Sequence, residues 1–160
     1  MAVILRRLLG IGKLPSDMRS AVEGEGLLHL AEFVPVTLRF TGKLPGRVSV
    51  GKKSGYVGAL ALTSRRVLGT LSTVPNKAGR AVDQPWTPSI GGMAHASLDE
   101  AGLLIEIPDL SLVDPKFSGV LSLTFKTPLS PQVLSQLPTR AMAFDIPPKY
   151  VYSVLGVPSR

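Results

Sequence analysis

His29 and His95 are the only histidines, and the chain has no cysteine. Each histidine stands in an apolar segment, LLHLAEF and MAHASL, with no carboxylate or second histidine at ligand spacing, so both read as structural rather than metal-binding. The missing sulfur removes disulfides, thiolate nucleophiles and cysteine-built zinc sites. GIGK, at 10–13, lacks the spacing and the preceding strand of a phosphate-binding loop. No G-x-S-x-G elbow occurs. The adjacent carboxylates Asp99 and Glu100 fall in a predicted hairpin turn, where solvated acids are ordinary. Trp86, the single tryptophan, lies in PWTP and is expected to cover the rim of the core rather than stack a base. These absences predict no metal, no cofactor and no enzyme activity.

The charges carry more information. Net charge is +7, and its placement is uneven. From Phe33 through Val82 no acidic residue occurs, while nine basic ones do: Arg39, Lys43, Arg47, Lys52, Lys53, Arg65, Arg66, Lys77 and Arg80. From Asp83 through Pro115 the pattern inverts, with Asp83, Asp99, Glu100, Glu106, Asp109 and Asp114 and no Lys or Arg. Such segregation predicts an electric dipole across the domain and an anionic partner for the basic side.

The elements that must position these charges follow from periodicity. Residues 13–26 read as a short helix, with Pro15 in the first turn and Gly24 and Gly26 at its end. Val34, Val36, Leu38 and Phe40 alternate with outward residues as a half-buried strand, and Glu32 with Pro35 predicts a bulge or an edge there. TGKLPGRVSVGKKSG is expected as a turn-rich, basic connection with a short strand at Arg47 to Val50. In GALALTSRRVLGTL the chain is predicted to reverse at Thr63 and Ser64, leaving Arg65 and Arg66 at the start of the returning strand, near water. Residues 72–92, with Pro75, Pro85 and Pro88, are expected to be irregular. MAHASL and LLIEI form a further hairpin, and VLSLTFK a strand with Leu121, Leu123 and Phe125 inward. Ser130 caps a helix over Pro131 to Leu137, and a last short helix holds Tyr150, Val151 and Val154. The fold class predicted is α+β, mostly β: a bent antiparallel sheet or small sandwich closed by a helix, with a short helix at the N-terminal end. Leu60, Leu62, Leu121, Leu123, Phe125 and Leu134 are expected to share one core.

MAVILRRLLGIGK does not read as a secretory signal, because Arg6 and Arg7 divide its apolar stretch and no small-residue cleavage site follows closely. Residues 1–13 are therefore an arm, either a helix on a membrane surface or a packed or frayed end, and 14–160 a single domain. No apolar run of membrane-spanning length occurs. A cytoplasmic location, peripheral at the membrane, is the expectation.

GALALTSRRVLGTL, the preceding LLHLAEFVPVT, the later LLIEI and the closing SLTFKTPLSPQVLSQL together resemble the pleckstrin-homology-like superfamily, nearest its bacterial and GRAM-like members. Leu62, Thr63, Arg65, Arg66 and Leu68 match its pattern of an apolar strand ending in Thr, a polar residue and arginines before another apolar strand. The resemblance spans about residues 14 to 138. It implies a two-sheet antiparallel sandwich or partly open barrel with a C-terminal capping helix, and binding rather than catalysis. The family's basic loop would lie at Lys43, Arg47, Lys52 and Lys53. No basic-x-Arg triplet stands there, so the resemblance implies general attraction to anionic surfaces. With Arg65 and Arg66, these four residues form the expected site for an anionic lipid surface or an acidic protein. Self-association of the basic half with the acidic half is the alternative. Nucleic-acid binding, though allowed by a pI near 10.1, is disfavoured by the absence of interleaved aromatic and basic residues.

Overall fold

The computed structural model describes residues 13–74, 77–86 and 92–155, with backbone alone for 72–74 and 77–80; the arm lies outside them save for Lys13. Helix α1 (Ser16–Glu23) follows Pro15. Gly26, at φ 78°, then turns the chain into the sheet. The strands are β1 (Leu27–Leu44), β2 (Arg47–Thr63), β3 (Arg66–Val74), β4 (Lys77–Pro85), β5 (Ala94–Asp99), β6 (Gly102–Ile107), β7 (Ser118–Lys126) and β8 (Ala141–Phe144). A 3-10 turn (Leu110–Leu112) precedes β7, α2 (Pro131–Gln136) precedes β8, and α3 (Pro148–Leu155) follows it. All strand pairs are antiparallel. They form one continuous sheet in the order β4-β3-β2-β1-β7-β6-β5-β8, bent into a nearly closed barrel.

The barrel interior is filled by alternate residues of these strands. Val36, Leu38 and Phe40 of β1 meet Phe125, Leu123 and Leu121 of β7 in register, and Val34 is buried beyond the first of these pairs. All six residues expected to share a core do so. A second, smaller cluster of Leu14, Val22, Ala59, Ala61 and Leu68 lies between α1 and the outside of β2 and β3. This explains the unbroken apolar run in GALALT. Leu60 and Leu62 face the barrel while Ala59 and Ala61 face α1, so the segment is buried on both sides and alternation disappears.

Helix α3 joins the first strands to the last. The Tyr150 hydroxyl donates to the Ala81 carbonyl of β4 at 2.5 Å. Burial raises the Tyr150 hydroxyl pKa well above its ordinary value. Val151, Tyr152, Val154 and Leu155 lie in the core, and Phe117 meets the Tyr152 ring edge to face at 5.4 Å. The Ser130 hydroxyl accepts from the Val133 amide as the expected cap of α2.

The bent sheet or partly open barrel is the alternative found: the eight strands among the described residues are hydrogen-bonded into one sheet. Three other expectations change. TGKLPGRVSVGKKSG is not a loose connection: only Pro45 and Gly46 turn, and the rest pairs within β1 and β2. Residues 77–85, expected to be irregular, are strand β4, whose bulge at Ala81 absorbs a register shift against β3. The two-residue tip of the β2–β3 hairpin is Ser64–Arg65, one position later than predicted, and Arg66 is already paired in β3. The predicted bulge in β1 is present at Glu32–Phe33, with Phe33 at φ 59°. Pairing with β7 begins only at Val36, so Pro35 sits where β1 has a free side.

Candidate anion-binding face

The strand order turns the charge segregation of the sequence into a spatial one. The acid-free window supplies β4-β3-β2-β1, contiguous in the sheet, and the base-free window supplies β6 and β5 beyond β7. One row across the outer face runs Lys53, Arg39, Ser122, Glu106, His95, each directly opposite the next. Charge therefore falls from positive to negative over five strands.

The six basic residues expected at the site divide into three settings. Lys43, Lys52 and Lys53 lie on β1 and β2 around the first hairpin. Lys43 is exposed opposite Val48 and Ser118, Lys53 is exposed opposite Arg39, and Lys52 is half-buried opposite Phe40. Arg47 is tied down: its Nη1 donates to the Leu155 carbonyl at 3.0 Å, where a cation complements the last turn of α3. Arg65 and Arg66 stand at the far end of β2, about 30 Å from Lys53 along the strand.

Arg66 has a different part from the one predicted for it. Its Nε and Nη2 donate to the two carboxylate oxygens of Glu25 at 3.0 and 2.8 Å, and its Nη1 to both oxygens of Asp83 at 2.9 and 3.0 Å. The Arg66 side chain is only 20% exposed. Hydrogen bonding to Arg66 holds the Glu25 carboxyl below its ordinary range, with the neighbouring charge adding to the effect. Thr63 completes the clasp. Its buried hydroxyl accepts the amides of Arg65 and Arg66 at 3.0 Å and contacts Glu25 Oε1 at 3.2 Å. The indole of Trp86 is buried and donates to the Thr63 carbonyl at 2.7 Å. Ser64 closes the junction by donating its amide to Gly26 and its hydroxyl to the Glu25 carbonyl. The arginine that interrupts the apolar run thus anchors the hairpin to the end of α1 and to β4. Arg65 remains exposed beside it.

Around the first hairpin the situation reverses. Arg39, which the sequence presents only as one outward residue of an alternating strand, lies between Lys53 and Ser122. With Lys52, Thr41 and the bulge at Gly51 they line an open cleft of about 450 Å³. Among the described residues, no carboxylate is paired with Arg39, Lys43, Lys52 or Lys53. Beside them stand exposed aliphatic side chains, Val48 at 69%, Val50 at 88% and Val120 at 42%. The signal that would have found Arg39 is the register of β1 on β2, which the sequence does not carry.

His29 is half-buried, its Nε2 has no partner, and burial lowers its pKa. His95 is exposed opposite Glu106. Asp99 Oδ1 accepts the Ala101 amide and so organises the predicted turn. Among the described residues, no group of three potential metal ligands converges, and no helix is long and apolar enough to cross a membrane. No protein-family model, no curated protein and no solved structure matches the chain.

Proposed function

We propose that the chain is a non-catalytic binding module that meets an anionic membrane surface with the outer face of its β1–β2 hairpin, peripherally and from the cytoplasmic side. The observation that carries this reading is the grouping of Arg39, Lys43, Lys52 and Lys53, without a described carboxylate partner, beside the exposed Val48 and Val50. Cations with protruding aliphatic side chains suit a bilayer interface, where the charges meet headgroups and the methyls enter the acyl boundary. Membership of the pleckstrin-homology-like superfamily belongs to the same proposal. It is supported by the Thr63-organised hairpin, the all-antiparallel bent sheet and the helices that close it.

Each Lys or Arg held near an anionic leaflet contributes about 1 kcal/mol at physiological salt. Binding to phosphatidylserine vesicles should therefore be weak and should fall as salt rises. Reversing Lys52 and Lys53 to Glu should reduce it by about 30-fold or more. Reversing Lys116 and Lys126, which lie outside the acid-free stretch, should reduce it less. Equal loss from the two pairs would show that only net charge matters. No binding at low salt would remove the membrane and leave an acidic protein as the partner.

One observation favours a second reading, self-association. Leu112, 64% exposed, is flanked by Asp109 and Asp114. It precedes β7, whose first residue pairs with Lys43, so an apolar–acidic patch shares one end of the barrel with the apolar–basic one. Two copies related by a two-fold axis could match the patches reciprocally. Sedimentation at low and high salt decides: a salt-sensitive dimer supports this reading, and a monomer under both conditions removes it.

A further inference from the structure

We propose that the cleft on the outer face of β2-β1-β7 is a discrete site for a doubly charged phosphate group, centred on Arg39. The claim goes beyond membrane attraction, with which it shares Lys52 and Lys53, because it assigns a bounded site and one chemistry to it. Arg39 and Lys53 are directly opposite residues on one face. Like charges in that position oppose strand pairing unless an anion lies between them. On its other side Arg39 faces Ser122, whose hydroxyl adds a donor, and Thr41 and Lys52 complete the lining.

The arrangement is held rigidly. Val50 and Gly51 together oppose Thr41, a bulge that shifts the register of β2 between Lys52 and Ser49. Gly51 adopts φ 62° there, and its amide donates to the Thr41 hydroxyl at 2.8 Å. A Cβ at Gly51 would meet nothing within 4 Å, so the glycine serves the backbone conformation rather than a close approach. The bulge therefore fixes where Lys52 and Lys53 stand relative to Arg39. Glu106, the carboxylate in the same row, lies beyond Ser122, two strands or about 10 Å from Arg39.

Two cations and two hydroxyls on one face of the hollow, Arg39 and Lys53 with Thr41 and Ser122, exceed what a single carboxylate needs. They suit a tetrahedral dianion, with the guanidinium donating to two oxygens and the Lys53 ammonium supplying charge. At about 450 Å³ and open to solvent, the cleft has room for the phosphate and the first atoms of whatever carries it. The same chemistry could come from a lipid headgroup or from a free phosphate ester.

Amide NMR of the full chain, titrated with inorganic phosphate against chloride at constant ionic strength near pH 8, where phosphate is mostly dianionic, tests the site. Saturable shifts are expected at Thr41, Gly51, Lys52, Lys53 and Ser122. Arg39→Gln should weaken saturation by about tenfold or more. Lys43→Gln, the same charge change outside the cleft, should alter it by about twofold or less. Lys53→Gln provides a second cleft variant. Vesicles of phosphatidic acid and phosphatidylserine, matched in net charge, separate the sources. Preference for phosphatidic acid that Arg39→Gln abolishes assigns a lipid headgroup; saturable phosphate without that preference assigns a soluble ester. Diffuse, non-saturating shifts, or equal losses from Arg39→Gln and Lys43→Gln, overturn the site and leave salt-sensitive vesicle binding to stand on its own. Saturable phosphate with no vesicle binding at all removes the membrane reading and keeps the cleft.

Discussion

Arg66 and Arg39 come from the same acid-free stretch of sequence, yet one is enclosed by two carboxylates and the other stands against a second cation. Glu25 reaches Arg66 from the end of α1 and Asp83 reaches it from β4, both from outside the stretch. Arg39 receives Lys53 and Ser122 as neighbours. A basic residue in a basic window is therefore either part of the scaffold or available to a partner. What separates the two is which distant segment the sheet brings alongside. The surroundings agree with this division. Near Arg66 the turn is pinned by Thr63, Ser64 and Trp86, whereas near Arg39 the neighbouring side chains are exposed valines and solvated lysines.

Substitutions that keep the strand fixed while changing its face sharpen the contrast most. Leu123 packs inward opposite Leu38, next to Ser122 in the cleft. Leu123→Ala should cost about 2–5 kcal/mol in urea unfolding, whereas Ser122→Ala should change stability by no more than about 0.5 kcal/mol. A large loss from Ser122→Ala would mean that the outer face is structural too. Arg66→Met should cost roughly 2–3 kcal/mol, less than the about 3–5 kcal/mol for breaking a fully buried pair, because Glu25 and Asp83 retain some contact with water. An unchanged midpoint for this variant would dissolve the distinction between the two arginines.

Acid should act on the clasp and leave the cleft intact. Below the unfolded His29 value of about 6.5 the unfolded chain takes up a proton that the native chain, with its lowered pKa, resists. That contribution is full above 6.5 and is lost as pH falls through the native value. Glu25 follows. Its carboxyl is also depressed in the native state, so its contribution is full above the unfolded value of 4.5 and is lost below it. Thermal midpoints should thus fall in two stages, and His29→Gln should remove only the first. An acid-insensitive midpoint down to the carboxylate range would contradict the burial of His29. One small effect has the opposite sign. Arg39→Met removes a cross-strand repulsion and should stabilise the free protein by about 0.2–1 kcal/mol at low salt. Loss of stability instead would show that Arg39 is structurally engaged.

Much of the scaffold was legible because local chemistry sufficed. Thr63 followed by polar residues marks a turn, since its hydroxyl can accept the next amides; Ser130 before Pro131 marks a helix start; Leu121, Leu123 and Phe125 alternate cleanly. What was not legible depended on segments far apart in the chain. Strand β4 contains Gly79 and Pro85 and reads as a loop until β3 lies beside it. Arg66 reads as a solvated turn residue until Glu25 arrives from 41 positions away. The basic segment after β1 reads as a loop because its valines alternate with lysines and glycines, whereas pairing with β1 makes it strand. Pairing places three of its cations, Lys43, Lys52 and Lys53, around the first hairpin and brings Arg39 alongside them, while Arg47 is held by the Leu155 carbonyl.

The way helix α3 is fastened has a consequence for how the molecule forms. Tyr150 bonds Ala81 across 69 positions, and Arg47 bonds Leu155 across 108. Strand β1 meanwhile waits for β7 before its second side is paired. The hairpins can form early from neighbouring segments, but the barrel cannot close until both far-separated halves meet. Loop-closure entropy must be overcome before those contacts repay it. The high contact order places folding in the slow range for small domains, about milliseconds to seconds. Until closure, the inner faces of β1 and β2 remain open to solvent, and the lysines around the first hairpin then keep partly formed chains apart by mutual repulsion.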